Sequence, residues 1–96
     1  MLDVQEQQFL MPFESALKGV CRILELGAKK YGMNNWLQTN GTKSSSEAMH
    51  NSMFHHIAQS YCGLLEDEES HEDPLLHATT RAMMMYVIRQ KGIQHD

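Results

Sequence analysis

Residues 12–31 read PFESALKGVCRILELGAKKY, and apolar side chains recur in this segment at every third or fourth position. The apolar positions are Phe13, Ala16, Leu17, Val20, Leu24 and Ala28. Pro12 suits the first turn of a helix because its missing N–H is not needed there, and Gly32 favours a helix end. The pattern therefore predicts an amphipathic helix over about residues 12–31.

A second helix is predicted after a loop. Ser44 and Glu47 have the spacing of a capping box, in which a hydroxyl and a carboxylate satisfy free N–H groups at a helix start. This helix should begin at Ser44 and end near Gly63. The segment before it is rich in asparagine and glycine, which favour turns, so we expect a loop with one helical turn around Trp36.

A third helix is predicted by Asp73 and Pro74, which combine an N-cap oxygen with a ring whose fixed φ suits the first turn. It should run over about residues 74–90, with Gly92 marking its end. No segment has the pattern of a strand. The predicted fold class is all-α, a small bundle of about three main helices that dimerisation should complete.

Length and charge narrow the possible functions. The chain of 96 residues fits one all-α domain, with a core over about residues 12–90. A net charge of −4 argues against nucleic acid as a partner. The absence of a long apolar run and the polar start of the sequence argue against a membrane and predict a cytoplasmic protein. The small core favours a homodimer or a higher homo-oligomer.

Lys30, Tyr31, Asn35 and Trp36 form the first group of candidate binding residues. A tryptophan beside lysines offers an aromatic face for a base and cations for phosphates, which is a common way to hold a nucleotide. The alternative is a half-buried tryptophan that closes one end of the bundle.

Six of the twelve acidic residues lie between Glu66 and Asp73, which is the second notable group. They indicate either a solvated acidic loop or a site for a hard divalent cation. On the third helix, His77 and Arg81 are i, i+4 neighbours and can face one ligand or pair with these acids. His56 lies on an apolar face, where it is either a core histidine or a ligand-binding group.

Several strings in the chain resemble a known family. GAKKYGMNNW over residues 27–36 is similar to its GAxKYGxxNW motif, and His56 stands at the histidine of an RH pair. Asp67, Glu69, Ser70 and His77 then fit a D-x-E-[ST] segment and a following helical histidine in one register. The chain thus resembles the phage dATP/dGTP diphosphohydrolases (MazZ-like), within the MazG-like all-α NTP pyrophosphohydrolases.

The resemblance implies hydrolysis of purine deoxynucleoside triphosphates to monophosphate and pyrophosphate, with Mg²⁺ or Mn²⁺ as cofactor. It implies that Asp67 and Glu69 are catalytic and bind the metal, with Glu66 as a further metal ligand. The expected nucleotide-binding residues are Lys30, Tyr31, Asn35, Trp36, His56, His77 and Arg81. A phage-encoded protein of this kind would work in the host cytoplasm.

His55 replaces the arginine of the RH pair, and the chain departs from the later part of the family pattern at three positions. Leu64 replaces a glutamate, His71 replaces a glycine, and Pro74 replaces the first of two histidines. Because Leu64 removes an implied metal carboxylate, a second hypothesis is a non-catalytic protein that sequesters a purine nucleotide or a nucleotide-derived signal. A third hypothesis is a small helical interaction protein that retains only the scaffold.

Overall fold

The computed structural model describes the backbone of residues 1–38 and 43–94, and the side chains of residues 1–38 and 46–91. Its elements are helix α1 (Val4–Leu10), a 3-10 helix (Met11–Phe13), α2 (Glu14–Tyr31), a second 3-10 helix (Asn35–Gln38), α3 (Lys43–Tyr61) and α4 (Pro74–Gln94). Within these described residues there is no strand, which confirms the predicted all-α fold with three long helices.

Helix α2 agrees with the prediction from its apolar periodicity. Pro12 lies in the preceding 3-10 helix, so α2 begins two residues later, at Glu14. The helix ends at Gly32, whose φ of 98° lies in the left-handed region that glycine tolerates. Val20 and Ile23 are buried, and they supply the contribution of α2 to the core.

Helix α1 was not predicted, because the sequence around it is polar. It is stabilised by a capping box in which Asp3 accepts a hydrogen bond from the Glu6 N–H at 2.8 Å. The Glu6 carboxylate accepts one from the Asp3 N–H at 2.9 Å. The helix buries none of its own residues. The spacing of Asp3 and Glu6 was therefore the local signal for this helix.

Helix α3 begins at Lys43, one residue before the predicted start. The predicted capping side chain of Ser44 lies outside the described side chains. The helix ends at Tyr61, and Gly63 follows with a φ of 94°, as expected for a glycine near a helix end. The one turn predicted around Trp36 is confirmed as the second 3-10 helix.

Helix α4 is the central helix, since it packs against both α2 and α3. Its start agrees with the prediction, because Asp73 Oδ1 accepts a hydrogen bond from the Leu75 N–H at 2.8 Å and Pro74 is fully buried. The predicted end was wrong: Gly92 lies inside the helix, which continues to Gln94. A single glycine costs a helix only about 1 kcal/mol, so its neighbours can carry the helix through.

The core lies where α2 crosses α4. Its buried members are Val20, Ile23, Ala78, Thr80 and Met84. Thr80 is polar but donates its hydroxyl to the Leu76 carbonyl at 2.7 Å, which satisfies the group inside the helix. Gly19 permits close packing at this crossing, because a Cβ there would lie 2.4 Å from Leu76 Cδ1. No helix in the described part of the chain is long and apolar enough to cross a membrane.

Candidate nucleotide site

A cavity of about 470 Å³ lies beside the core, between the second half of α2, the turn after it, α3, the acidic segment and α4. This volume is in the usual range for small-molecule sites. The predicted site residues that line it are Lys30, Tyr31, Asn35, Trp36, His56, Asp67, Glu69, His77 and Arg81. Glu66 is the one predicted site residue that does not line it.

Two ion pairs hold the acidic segment, residues 66–73, against α2. Arg22 donates from Nε and Nη2 to both carboxylate oxygens of Glu72, at 2.8 and 2.9 Å. This two-point contact lowers the pKa of Glu72 and raises the pKa of Arg22. Lys30 pairs with Glu69, and the same hydrogen bond raises the pKa of Lys30. The acidic segment therefore forms a fixed wall of the cavity.

Asp67 organises this segment from within. Its Oδ2 accepts hydrogen bonds from the Ser70 N–H at 2.9 Å, the Glu69 N–H at 3.1 Å and the Ser70 hydroxyl at 3.2 Å. The Ser70 N–H is the largest cause of the lowered pKa of Asp67, so the carboxylate is ionised at neutral pH. The same turn places His71 at a φ of 63°, which accounts for a glycine at this position in the family motif.

Ser70 connects Asp67 to His77. Its Oγ accepts a hydrogen bond from the Glu72 N–H at 3.2 Å and donates its proton to Asp67. The hydroxyl then has one lone pair left, and His77 Nε2 lies 2.6 Å from Oγ. Because a hydroxyl has one proton and two lone pairs, Nε2 is the donor in this contact when the hydroxyl proton goes to Asp67. The network therefore assigns His77 a proton on Nε2.

His77 Nδ1 is buried and has no hydrogen-bond partner among the described residues. Burial is the main cause of the lowered pKa of His77, and the neighbouring His56 lowers it further. The two rings stack with centroids 4.6 Å apart and planes at 17°. His56 Nδ1 in turn lies 3.0 Å from Gln59 Oε1. His77 is therefore a neutral imidazole whose unprotonated nitrogen is Nδ1.

Arg81 lines the cavity and forms no ion pair with any described residue. Its Nε lies 3.3 Å from the Ser52 hydroxyl and its Nη1 lies 3.5 Å from Met84 Sδ. Among the described residues no carboxylate lies within ion-pair distance of this half-buried guanidinium, whereas Lys30 is neutralised by Glu69. An anionic ligand would therefore find its strongest electrostatic attraction at Arg81.

Each of the three predicted metal ligands already forms an ion pair or hydrogen bonds with other residues of the chain. Glu66 Oε1 lies 2.7 Å from His71 Nδ1, Glu69 pairs with Lys30, and Asp67 Oδ2 accepts three hydrogen bonds. In the described part of the chain no group of three His, Cys, Asp or Glu residues could hold a metal ion. These residues, as arranged, do not fit a resident metal site. The Mg²⁺ or Mn²⁺ implied by the resemblance stays a prediction.

Leu64 lies away from the cavity. It lines a separate shallow groove with His55 and Cys62 at the end of α3. The glutamate that the family has at this position would therefore add its carboxylate to that groove in the present conformation, and not to the cavity.

The sequence did not identify several residues of the cavity as functional. Ser70 had been matched only as part of a motif, although it fixes both Asp67 and His77. Asn34 lines the cavity with a φ of 55°, and the Asn34-Asn35 pair was a signal for such a turn. Ile23 and Met84 supply part of its apolar lining, which no motif indicated.

Comparison with known protein families supports the family that the sequence motifs resemble. No curated protein and no solved structure matches the chain in such comparisons. A family model described as dATP/dGTP diphosphohydrolase, N-terminal, matches residues 3–96. The match covers the long helices and every residue of the cavity. The chain therefore belongs to the dATP/dGTP diphosphohydrolase N-terminal family.

Proposed function

We propose that the cavity binds a purine deoxynucleoside triphosphate and that the protein hydrolyses it to monophosphate and pyrophosphate. The observation that supports this most is Arg81, a half-buried guanidinium without a carboxylate partner among the described residues, in one cavity with Trp36. A guanidinium matches the geometry of phosphate, and an indole gives a base a flat apolar surface. The family of the chain agrees with this ligand class.

In this proposal the two ends of the nucleotide meet different residues. The triphosphate lies against Arg81 and Lys30, while the base and sugar contact Trp36, Tyr31 and Asn35. Lys30 must exchange the Glu69 carboxylate for a phosphate oxygen when the ligand binds. His56 and His77 border the phosphate side, and the neutral ring of His77 leaves the charge complementarity to Arg81 and Lys30.

The exchange at Lys30 gives Glu69 a role in the reaction. A water oxygen attacks the α-phosphorus, the bond from that phosphorus to the α–β bridging oxygen breaks, and pyrophosphate leaves. Glu69, released from Lys30, accepts the proton of the attacking water as general base. Asp67 fixes the backbone turn that carries Glu69. The divalent cation expected from the family remains an expected cofactor, and none of these steps depends on its position.

The alternative candidate is a protein that binds the nucleotide without turning it over. The contacts of Asp67 and Glu69 favour it, because both of these carboxylates of the cavity already have partners within the chain. Such a protein would sequester a purine nucleotide or a nucleotide-derived signal at the same cavity.

One experiment separates the two candidates. The protein is incubated with a mixture of deoxynucleoside triphosphates and Mn²⁺, with a parallel sample in chelator, and the filtrate and the denatured protein are analysed by mass spectrometry. Monophosphate and pyrophosphate in excess over protein would support hydrolysis. Intact nucleotide released only on denaturation would support sequestration. If neither is found in either sample, the cavity does not bind such nucleotides and the proposal fails.

Two variants that each remove one negative charge test the assignment of the base. Glu69→Gln should lower turnover by at least about 100-fold, since general-base catalysis contributes about that much. Glu68→Gln is the matched control, because Glu68 is the exposed neighbour and does not line the cavity. Equal turnover in both variants would show that Glu69 is not the base.

A further inference from the structure

The acidic segment is closed on itself by hydrogen bonds. The Asp67 N–H donates to the Glu72 carbonyl at 2.8 Å, and the His71 N–H donates to the Asp67 carbonyl at 2.9 Å. The Glu72 N–H donates to the Ser70 hydroxyl at 3.2 Å. Because these bonds join the two ends of the segment, it is a compact loop that moves as one unit. A contact at one of its residues therefore sets the position of the others, including Glu69.

Two carboxylates of the acidic segment pair with α2, and only one of the two pairs lies in the cavity. Glu69 lines the cavity and pairs with Lys30, which lines it too. Glu72 pairs with Arg22, and neither of these residues lines the cavity. A ligand in the cavity therefore competes with Glu69 for Lys30, whereas it does not compete for Arg22.

The Arg22 pair is also the stronger of the two. Arg22 donates to both carboxylate oxygens of Glu72, at 2.8 and 2.9 Å, whereas Lys30 donates to one oxygen of Glu69. The Glu72 side chain is 16% exposed, and the Glu69 side chain is 75% exposed. Two-point contacts of arginine with a carboxylate are strong, while a single exposed ion pair contributes little. The Lys30 pair is therefore the one that opens.

We infer that Arg22 and Glu72 are positioning residues that keep Glu69 at the cavity after a phosphate has taken its place on Lys30. This inference rests on the proposed function, in which Glu69 then becomes the general base. Once Lys30 contacts the ligand, the Arg22 pair is the remaining ion pair between the acidic segment and α2 among the described residues. A displacement of about 1 Å can cost about 100-fold in rate, so the pair acts on turnover more than on binding.

Hydrogen exchange of the acidic segment, measured by mass spectrometry, tests the positioning in the ligand-free protein. Lys30→Gln removes the contact that a phosphate would replace, and it should leave the exchange rate within about twofold of wild type. Arg22→Gln should raise the rate by about tenfold, because it removes a two-point charged contact. Lys18→Gln is the matched control, since Lys18 pairs with Glu14 inside the same helix. A wild-type rate in Arg22→Gln, or a larger increase in Lys30→Gln, would overturn the inference.

Turnover and affinity together distinguish positioning from a purely structural role. In Arg22→Gln, kcat for dATP and dGTP should fall by about 10- to 100-fold, because the base is displaced. The Kd of the intact nucleotide should change by less than about threefold, because Lys30, Arg81 and Trp36 are retained. Arg22→Lys keeps the charge without the two-point geometry and should recover part of kcat. A parallel loss of kcat and affinity would overturn the inference, since a disrupted cavity loses both.

The outcomes also separate this inference from the proposed function. A wild-type kcat in Arg22→Gln would overturn the inference and leave the proposed hydrolysis intact. If the wild-type protein gives no turnover, the proposed hydrolysis fails, and the exchange rates alone decide whether Arg22 holds the acidic segment. Glu72→Gln weakens the same pair from its other side and should reproduce both effects of Arg22→Gln in weaker form. Circular dichroism checks that each variant retains its helical fold.

Discussion

The cavity end and the N-terminal end of this molecule differ in how their side chains are held. At the cavity end, polar contacts within one chain fix the side chains: Arg22 holds Glu72, Lys30 holds Glu69, and Ser70 joins Asp67 to His77. At the N-terminal end, helix α1 buries none of its residues, and Phe9 and Phe13 are exposed. The difference teaches that polar contacts within one chain arrange the cavity, whereas the exposed residues at the N-terminal end do not line it. The two ends should therefore respond to substitution independently.

The largest expected effect concerns the cavity end. Arg81→Ala removes the guanidinium that has no carboxylate partner among the described residues, so affinity for a purine deoxynucleoside triphosphate should fall by about 100-fold. Arg89→Ala is the matched control, because Arg89 lies on the same helix over the Tyr86 ring and outside the cavity. Isothermal titration calorimetry measures both, and equal losses would contradict the assignment of Arg81 to the phosphates.

The second effect concerns the helix crossing that separates the two ends. Gly19→Ala places a methyl group 2.4 Å from Leu76 Cδ1, so α2 and α4 must move apart or Leu76 must change rotamer. Overpacking should cost about 1–3 kcal/mol of the free energy of unfolding, and helix propensity should offset up to about 1 kcal/mol of that loss. Urea denaturation measures it.

Gly27→Ala is the matched control for this substitution. It lies in the same helix, and no heavy atom lies within 4 Å of its added Cβ. Helix propensity should make that variant more stable by up to about 1 kcal/mol. The same sign for the two glycines would show that the crossing is not closely packed.

Features that depend on contacts between residues close in the sequence could be predicted. Features that depend on contacts between residues far apart in the sequence could not. Asp73 and Pro74 mark a helix start through bonds to adjacent residues, so α4 could be located from the sequence. Lys30 and Trp36 could be assigned to one site because a single motif contains both. Arg22 and Glu72 are 50 residues apart, and their pairing depends on the crossing of two helices. No periodicity in the sequence contains that information.

The limits of local sequence signals also explain which features were predicted wrongly or not at all. Helix α1 has no buried face within this chain, so an apolar pattern could not indicate it, although Asp3 and Glu6 could. Gly92 was expected to end α4, yet helix propensity is weak enough for neighbouring residues to override it. The role of Ser70 follows from counting one proton and two lone pairs around its hydroxyl, which requires coordinates.

The third expected effect is a pH dependence that should arise only at the cavity end. The pKa of His77 is lowered in the folded protein, mainly by burial, with His56 and Arg81 also lowering it while Asp67 and Glu72 oppose the shift. As the pH falls below about 6.5, the unfolded chain binds a proton that the folded chain excludes, so stability decreases. The loss continues down to the lowered pKa of His77.

Urea denaturation at several pH values measures this loss. His77→Gln should reduce the decrease in stability below about pH 6.5. His55→Gln is the control on the exposed side of α3 and should retain it. Asp67, whose pKa is also lowered, adds a separate loss only below about pH 4. An unchanged slope in His77→Gln would show that His77 is not the group responsible.

The smallest expected effect concerns which ring nitrogen of His77 carries the proton. Ser70 accepts from His77 Nε2 because its own proton goes to Asp67, so nitrogen NMR of the imidazole should find Nε2 protonated and Nδ1 unprotonated. Ser70→Ala removes the acceptor of that bond and should shift the tautomer equilibrium by about fivefold, the value of one hydrogen bond of about 1 kcal/mol. Ser70→Thr retains the hydroxyl and should restore the Nε2–H form. A wild-type His77 with its proton on Nδ1 would contradict the assignment, because Ser70 would then donate to His77 and Asp67 would hold the turn through backbone N–H groups alone.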